Sequence, residues 1–160
     1  MKRVLLMAAL VLALCGVSVG AEGKGVALWG MYDIDTAGVR VGYFNGANQV
    51  GLFGAWRPDP DQPPNIFGVY GLHEFGTLEV PNPVPISWLP QTITATPYLG
   101  GYITIDFADE QRKTLGGPMI GLEFMDVLAF EYRYQMVNGP LEANFDNGQS
   151  VFAICLPIKF

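Results

Sequence analysis

The chain closes on VFAICLPIKF, in which Phe152, Ile154, Leu156, Ile158 and Phe160 recur at every second position. A period of two puts these five on one face of an extended strand, with Val151, Ala153, Cys155, Pro157 and Lys159 on the other. Termini of water-soluble domains usually fray and carry polar residues. A terminal strand this apolar therefore requires both a partner strand and an apolar neighbour. The same alternation recurs upstream: LAFEYRYQM sets Leu128, Phe130, Tyr132, Tyr134 and Met136 on one face, and Ala129, Glu131, Arg133 and Gln135 on the other.

Eight segments carry this pattern: Val26 to Asp33, Val39 to Phe44, Gln49 to Arg57, Ile66 to Phe75, Pro97 to Phe107, Pro118 to Phe124, Leu128 to Met136 and Ser150 to Phe160. The pieces between them, such as DIDTAG, NGAN, PDPDQPPN and ADEQRKTLGG, are rich in turn formers. Half of the chain is apolar and only 15% is charged. Beyond the first residues there is no apolar run long enough for a membrane helix. Such a chain is either a β-rich soluble domain with a large core or a barrel whose wall faces lipid.

Volume decides which face is inside. The interior of an eight-stranded barrel is only just wide enough to be filled by side chains. The face opposite the bulky one carries Arg40 and Gly42, Gly51 and Ala55, Gly121 and Glu123, and Ala153 and Cys155. Bulky-side-out is the better fit, which makes Leu128, Phe130, Tyr132 and Tyr134 lipid-facing and places Arg40, Glu123, Glu131 and Arg133 in the lumen, with Lys159 near the rim. Charges in so narrow a space must be paired, so an interior ion-pair network that blocks an open pore is expected. Registers agree: pairing Phe44 with Gln49 keeps Val41, Tyr43, Val50, Leu52 and Trp56 together, and pairing Phe124 with Leu128 sets Gly121 opposite Glu131. The expected fold is all-β, a single antiparallel eight-stranded up-and-down transmembrane β-barrel.

The N-terminus supplies a compartment. Lys2 and Arg3 precede an apolar core from Val4 to Leu14 and the small-residue site Val19-Gly20-Ala21, the layout of a cleavable secretory signal peptide over residues 1–21. Residues 22–160 then form the barrel domain, with Cys155 as its one cysteine, so neither an internal disulfide nor a cysteine-based metal site is available. Without Lys2 and Arg3, seven of the nine basic residues remain against fifteen acidic ones, a formal charge of −8, which argues against nucleic acid as a partner.

Chemistry-bearing constellations are sparse. His73 and Glu74 are adjacent and point to opposite faces of a strand, and the serines after the leader are Ser87 and Ser150. No catalytic residues, metal site or cofactor are expected. Acidic clusters at Asp33/Asp35, Asp59/Asp61 and Asp106/Asp109/Glu110 lack the spacing of a calcium loop. Trp29, Tyr32, Tyr43, Trp56, Tyr70 and Tyr98 fall near segment ends, where aromatic girdles form. Phe75 to Thr96 is the longest connection; its prolines stiffen it, and Trp88 and Leu89 are expected to anchor it at the membrane interface or to plug the barrel mouth. Pro157 is expected at the rim or at a bulge.

By pattern across the whole chain after the leader, these features resemble the small outer-membrane β-barrel proteins of Gram-negative bacteria, the eight-stranded group that includes the OmpA membrane domain and OmpX. The resemblance rests on the signal peptide, the eight alternating segments and the terminal strand ending on Phe160. It implies location in the outer membrane of a Gram-negative bacterium, contact with membrane lipid and lipopolysaccharide, and a structural or surface-interaction role without catalysis. It also implies that Phe152, Ile154, Leu156, Ile158 and Phe160 are read as a signal by the barrel-assembly machinery. The alternative is a secreted or periplasmic soluble barrel that binds an apolar ligand in its lumen. The two readings diverge on whether Phe130, Tyr132 and Tyr134 face lipid or a cavity.

Overall fold

The computed structural model describes residues 23–33, 36–56, 66–82, 90–107, 113–138 and 148–160; the leader segment, Trp88 and Leu89 lie outside these. Nine strands carry the fold: β1 (Lys24–Asp33), β2 (Ala37–Asn45), β3 (Asn48–Trp56), β4 (Ile66–Glu74), β5 (Leu78–Pro81), β6 (Thr92–Asp106), β7 (Lys113–Phe124), β8 (Leu128–Asn138) and β9 (Gln149–Lys159). All pairings are antiparallel. Eight of the strands close a ring in the order β1, β2, β3, β4, β6, β7, β8, β9 and back to β1, while β5 pairs only with the overhanging start of β6. No helix occurs among the described residues.

The closure explains how the last strand is tied down. Phe160 exchanges both backbone hydrogen bonds with Val26, at 2.8 and 3.2 Å, and the ladder continues from Ala27 opposite Lys159 to Asp33 opposite Ala153. Antiparallel pairs alternate between bonded and non-bonded, so Trp29 opposite Pro157 is a non-bonded pair. The N–H that Pro157 lacks would point toward β8, whose pairing with β9 stops at Ala129 opposite Cys155. The proline thus lies at the rim on the one side where its missing donor would matter.

Turn chemistry sets two of the registers. Gly46, at φ +58°, begins the two-residue turn that places Asn45 opposite Asn48 and Phe44 opposite Gln49. Met125 and Asp126, at φ 54° and 58°, turn the chain so that Phe124 faces Leu128 and Gly121 faces Glu131. Both hairpins, the start of β1, the end of β9 and β5 lie at one end of the barrel. The four connections at the other end span residues 34–36, 57–65, 107–112 and 139–148.

Three strands depart from the segments read in the sequence. β6 begins at Thr92 and β7 at Lys113, five residues before Pro97 and Pro118 respectively, and β5 was not anticipated. Each proline removes a donor on one side only. Pro118 still pairs with Gly101 on β6, while the ladder to β8 is interrupted at Gly117 and Pro118 and resumes in the same register. Phe75 to Thr96 is largely a hairpin: Leu78 faces Ala95, Pro81 faces Thr92, and the Asn82 N–H donates to the Gln91 carbonyl at 2.8 Å.

Candidate functional site: an ion-paired lumen inside an apolar wall

One face of every barrel strand points inward, and large buried side chains occupy the lumen. Trp29, Arg40, Tyr98, Met119, Gln49, Glu123, Thr104 and Cys155 are its largest fully buried side chains. Glycine makes this packing possible. Tyr98 lies across the ladder from Gly121, and its ring spreads over that position, which has no side chain. A Cβ on Gly121 would run into the ring of Tyr98, and one on Gly42 into the Tyr70 hydroxyl.

Arg40, Glu131 and Arg133 form one centre. The Arg40 Nη2 donates to Glu131 Oε2 at 2.8 Å, and Arg133 Nε stands 3.0 Å from Glu131 Oε1. The Tyr98 hydroxyl donates to Glu131 Oε2 at 2.9 Å, and Arg133 reaches Asp33 Oδ2 at 3.5 Å. Aromatic faces hold the cations from the other side: the Arg40 guanidinium is 4.9 Å from the Trp29 ring centroid and 5.2 Å from that of Tyr70, and Arg133 is 5.9 Å from both Phe53 and Tyr102. Arg40 is 1% exposed and Glu131 2%. Charges buried so deeply are tolerated only with this many partners.

Glu123 belongs to a second centre, at the end of the barrel where β1 starts and β9 ends. Lys159 Nζ lies 3.0 Å from Glu123 Oε1, 2.9 Å from Glu74 Oε1 and 3.9 Å from Asp126 Oδ1. The four residues expected together in the lumen are all buried there but divide between two clusters. Asp33, Glu74 and Asp126, which the sequence reading left out of the network, complete them.

The outer wall has the opposite character. Phe152 is 73% exposed, Leu52 67%, Val50 and Ile103 61%, and Phe130 51%. Leu128, Tyr132 and Tyr134 share the outward face with Phe130; the Tyr132 ring packs 5.1 Å from Phe152, and its hydroxyl meets Ser150 Oγ at 3.0 Å. Of the terminal alternation, Ile154 and Leu156 are exposed on this wall, and Ile158 and Phe160 are partly covered. The expected girdle is corrected by the structure. Tyr32 and Tyr43 are exposed and outward, whereas Trp29, Tyr70 and Tyr98 are buried in the lumen, where Gly121 leaves room for the Tyr98 ring and Gly42 for the Tyr70 hydroxyl.

His73 is exposed on the wall, its Nδ1 3.0 Å from Asn48 Oδ1 and its ring 5.1 Å edge-on to Phe75. Ser150 is on β9, opposite β4 in the ring, so the two are not brought together. Among the described residues, no group of three or more His, Cys, Asp or Glu side chains is arranged to hold a metal ion. No protein-family model matches the chain, and neither a curated protein nor a solved structure matches it.

Proposed function

We propose that this chain is a small integral outer-membrane β-barrel protein with a structural or surface-interaction role, its lumen filled by side chains. The observation that carries the reading is the inversion of polarity: a continuous apolar outer wall surrounds a lumen that holds the buried charges Arg40, Glu123, Glu131 and Arg133. In water this arrangement exposes far more contiguous apolar area than monomeric proteins carry while burying charges at a cost. In a bilayer both choices are favourable, and ring closure leaves no unpaired edge around the barrel. Strand length agrees: seven of the eight barrel strands run 9 to 12 residues, against the roughly 9–11 that span a membrane.

On this reading residues 1–21 direct secretion, the terminal alternation ending on Phe160 is read by the barrel-assembly machinery, and the four connections at the far end meet lipopolysaccharide and the exterior. The soluble ligand-binding alternative needs an apolar lumen. Here Trp29, Tyr98 and Met119 already occupy it together with the ion pairs. The test is electrophoretic mobility in SDS of protein extracted from fractionated cells, unheated against boiled. A heat-dependent shift in the outer-membrane fraction is expected; an unshifted protein in the soluble periplasmic fraction would overturn the assignment.

A further inference from the structure

The hairpin of β5 and the start of β6 extends past the Gly46–Ala47 turn and, from Ile93 outward, past β7, whose end it meets where Ala95 faces Phe124 and the Met125 N–H donates to the Thr94 carbonyl. It is a continuation of the wall with one irregularity. Glu74 faces Tyr98, but Leu78 faces Ala95, so three residues on one strand oppose two on the other. The Phe75 N–H donates to the Pro97 carbonyl and the Thr77 hydroxyl meets that of Thr96 at 2.9 Å, which leaves Gly76 as the extra residue of a β-bulge.

The bulge resets the phase of the alternation. Without it, Leu78 and Val80 would turn to the lumenal side. With it, they join Phe75, Ile93 and Ala95 in line with the apolar wall, while Thr77, Glu79, Thr92, Thr94 and Thr96 line the inner side. Leu78 is 56% exposed and Phe75 48%. A two-stranded ribbon in water gains nothing from an apolar face kept in phase with a distant wall.

Among the described residues no strand pairs with the outer edge of β5, and the chemistry of that edge excludes one class of occupant. Asn82 donating to Gln91 makes that pair hydrogen-bonded, and alternation makes Val80/Ile93 and Leu78/Ala95 bonded as well. The polar backbone groups of Glu79 and Pro81 therefore face the open edge of β5. Pro81 has no N–H to offer there, so the edge is blunted against strand addition by another protein. The remaining edge groups need water, which they find at headgroup depth and not in the hydrocarbon core.

We infer that the β5–β6 hairpin is a membrane-interface flap whose outward side chains, Phe75, Leu78, Val80 and Ile93, rest on lipid at the headgroup boundary of the leaflet next to Phe160. The inference rests on the outer-membrane reading above. Spin labels placed singly at Leu78, Val80, Ile93, Glu79, Thr92 and Phe130 test it, in residues 22–160 carrying Cys155→Ala and reconstituted into phosphatidylethanolamine–phosphatidylglycerol vesicles. Collision with oxygen is compared with collision with a water-soluble nickel chelate, and each variant is first shown to keep its heat-dependent mobility shift. Expected is an oxygen-to-nickel ratio several-fold higher at Leu78, Val80 and Ile93 than at Glu79 and Thr92, and below that at Phe130. Equal nickel access at all five hairpin sites with Phe130 protected would overturn the flap and leave the barrel assignment standing. Nickel access at Phe130 as well would overturn the membrane reading itself. Protection of Leu78 from both reagents in native membranes, absent in vesicles, would replace lipid with a protein partner and also overturn the flap.

Discussion

Lys159 on the last strand reaches straight across the barrel to Glu74 on β4, with 2.9 Å between Nζ and Oε1. The two strands stand four places apart in a ring of eight, so no ladder hydrogen bond couples them and this side-chain bridge does. The same ammonium neutralises Glu123, whose side chain is completely buried. Lys159→Met should lower unfolding free energy by about 2–4 kcal/mol, mostly because Glu123 is left as an uncompensated buried charge. Lys159→Met combined with Glu123→Gln should recover much of that loss, read as urea midpoints in lipid vesicles. Equal midpoints for the wild type and Lys159→Met would mean that the bridge contributes nothing.

The central cluster should act as a stopper. Arg40 and Arg133 flank Glu131 in the lumen, both paired to it. Planar bilayers containing the wild type should show no steady conductance, and Arg40→Ala with Arg133→Ala should introduce one. Arg40→Met alone should cost about 3–5 kcal/mol, and Arg40→Lys should restore little, because an ammonium cannot stack between Trp29 and Tyr70 while reaching Glu131.

Gly121 should tolerate no side chain while Tyr98 stays aromatic. Gly121→Ala directs its methyl at the Tyr98 ring and should cost about 1–3 kcal/mol through overpacking. Tyr98→Phe should not relieve it, because the ring carbons remain. Gly101→Ala on the outer wall, where the nearest atom to an added Cβ is 3.4 Å away, is the control and should stay near wild type. Equal denaturation midpoints for Gly121→Ala and Gly101→Ala would contradict the tyrosine-over-glycine packing.

Phe130→Arg should destabilise the protein in a bilayer by about 2–4 kcal/mol if the site lies near the midplane. In detergent the penalty should shrink, since water reaches a micelle-bound guanidinium more easily. A penalty of the same size in both would place Phe130 away from lipid.

Deletion of Phe160 removes both backbone hydrogen bonds to Val26 along with the aromatic end of the terminal alternation. The fraction of protein in outer membranes that shows the heat-dependent mobility shift should fall sharply. Wild-type levels of that form would count against the assembly-signal role.

Much of the barrel could be read from the chain because its information is local. Alternation defines eight segments, and the short NGAN and MDV turns leave little freedom in the registers that pair Phe44 with Gln49 and Phe124 with Leu128. What escaped depends on non-local partners. Pro97 and Pro118 look like strand starts until the neighbour facing each missing N–H is known, and Gly116-Gly117 reads as a turn until Tyr102 is found across from it. Trp29 and Tyr98 lie in segments whose two faces differ little in polarity, so only the cross-strand neighbours reveal that they point inward. The phase shift at Gly76 is likewise invisible along one strand, because a bulge is defined by counting against the partner.

The pairing of β1 with β9 also bears on how the molecule forms. Ala27 and Lys159 face each other from near opposite ends of the chain, whereas the β2–β3 and β7–β8 contacts are made by residues close in sequence. Hairpins can therefore appear early, and the seam must wait until every other strand is in place. Until then the first and last strands each present an unsatisfied edge, which hydrocarbon penalises severely. Folding in a bilayer should be limited by this last zipping step, and loss of the seam should expose both edges together, so the barrel opens cooperatively instead of shedding strands one by one.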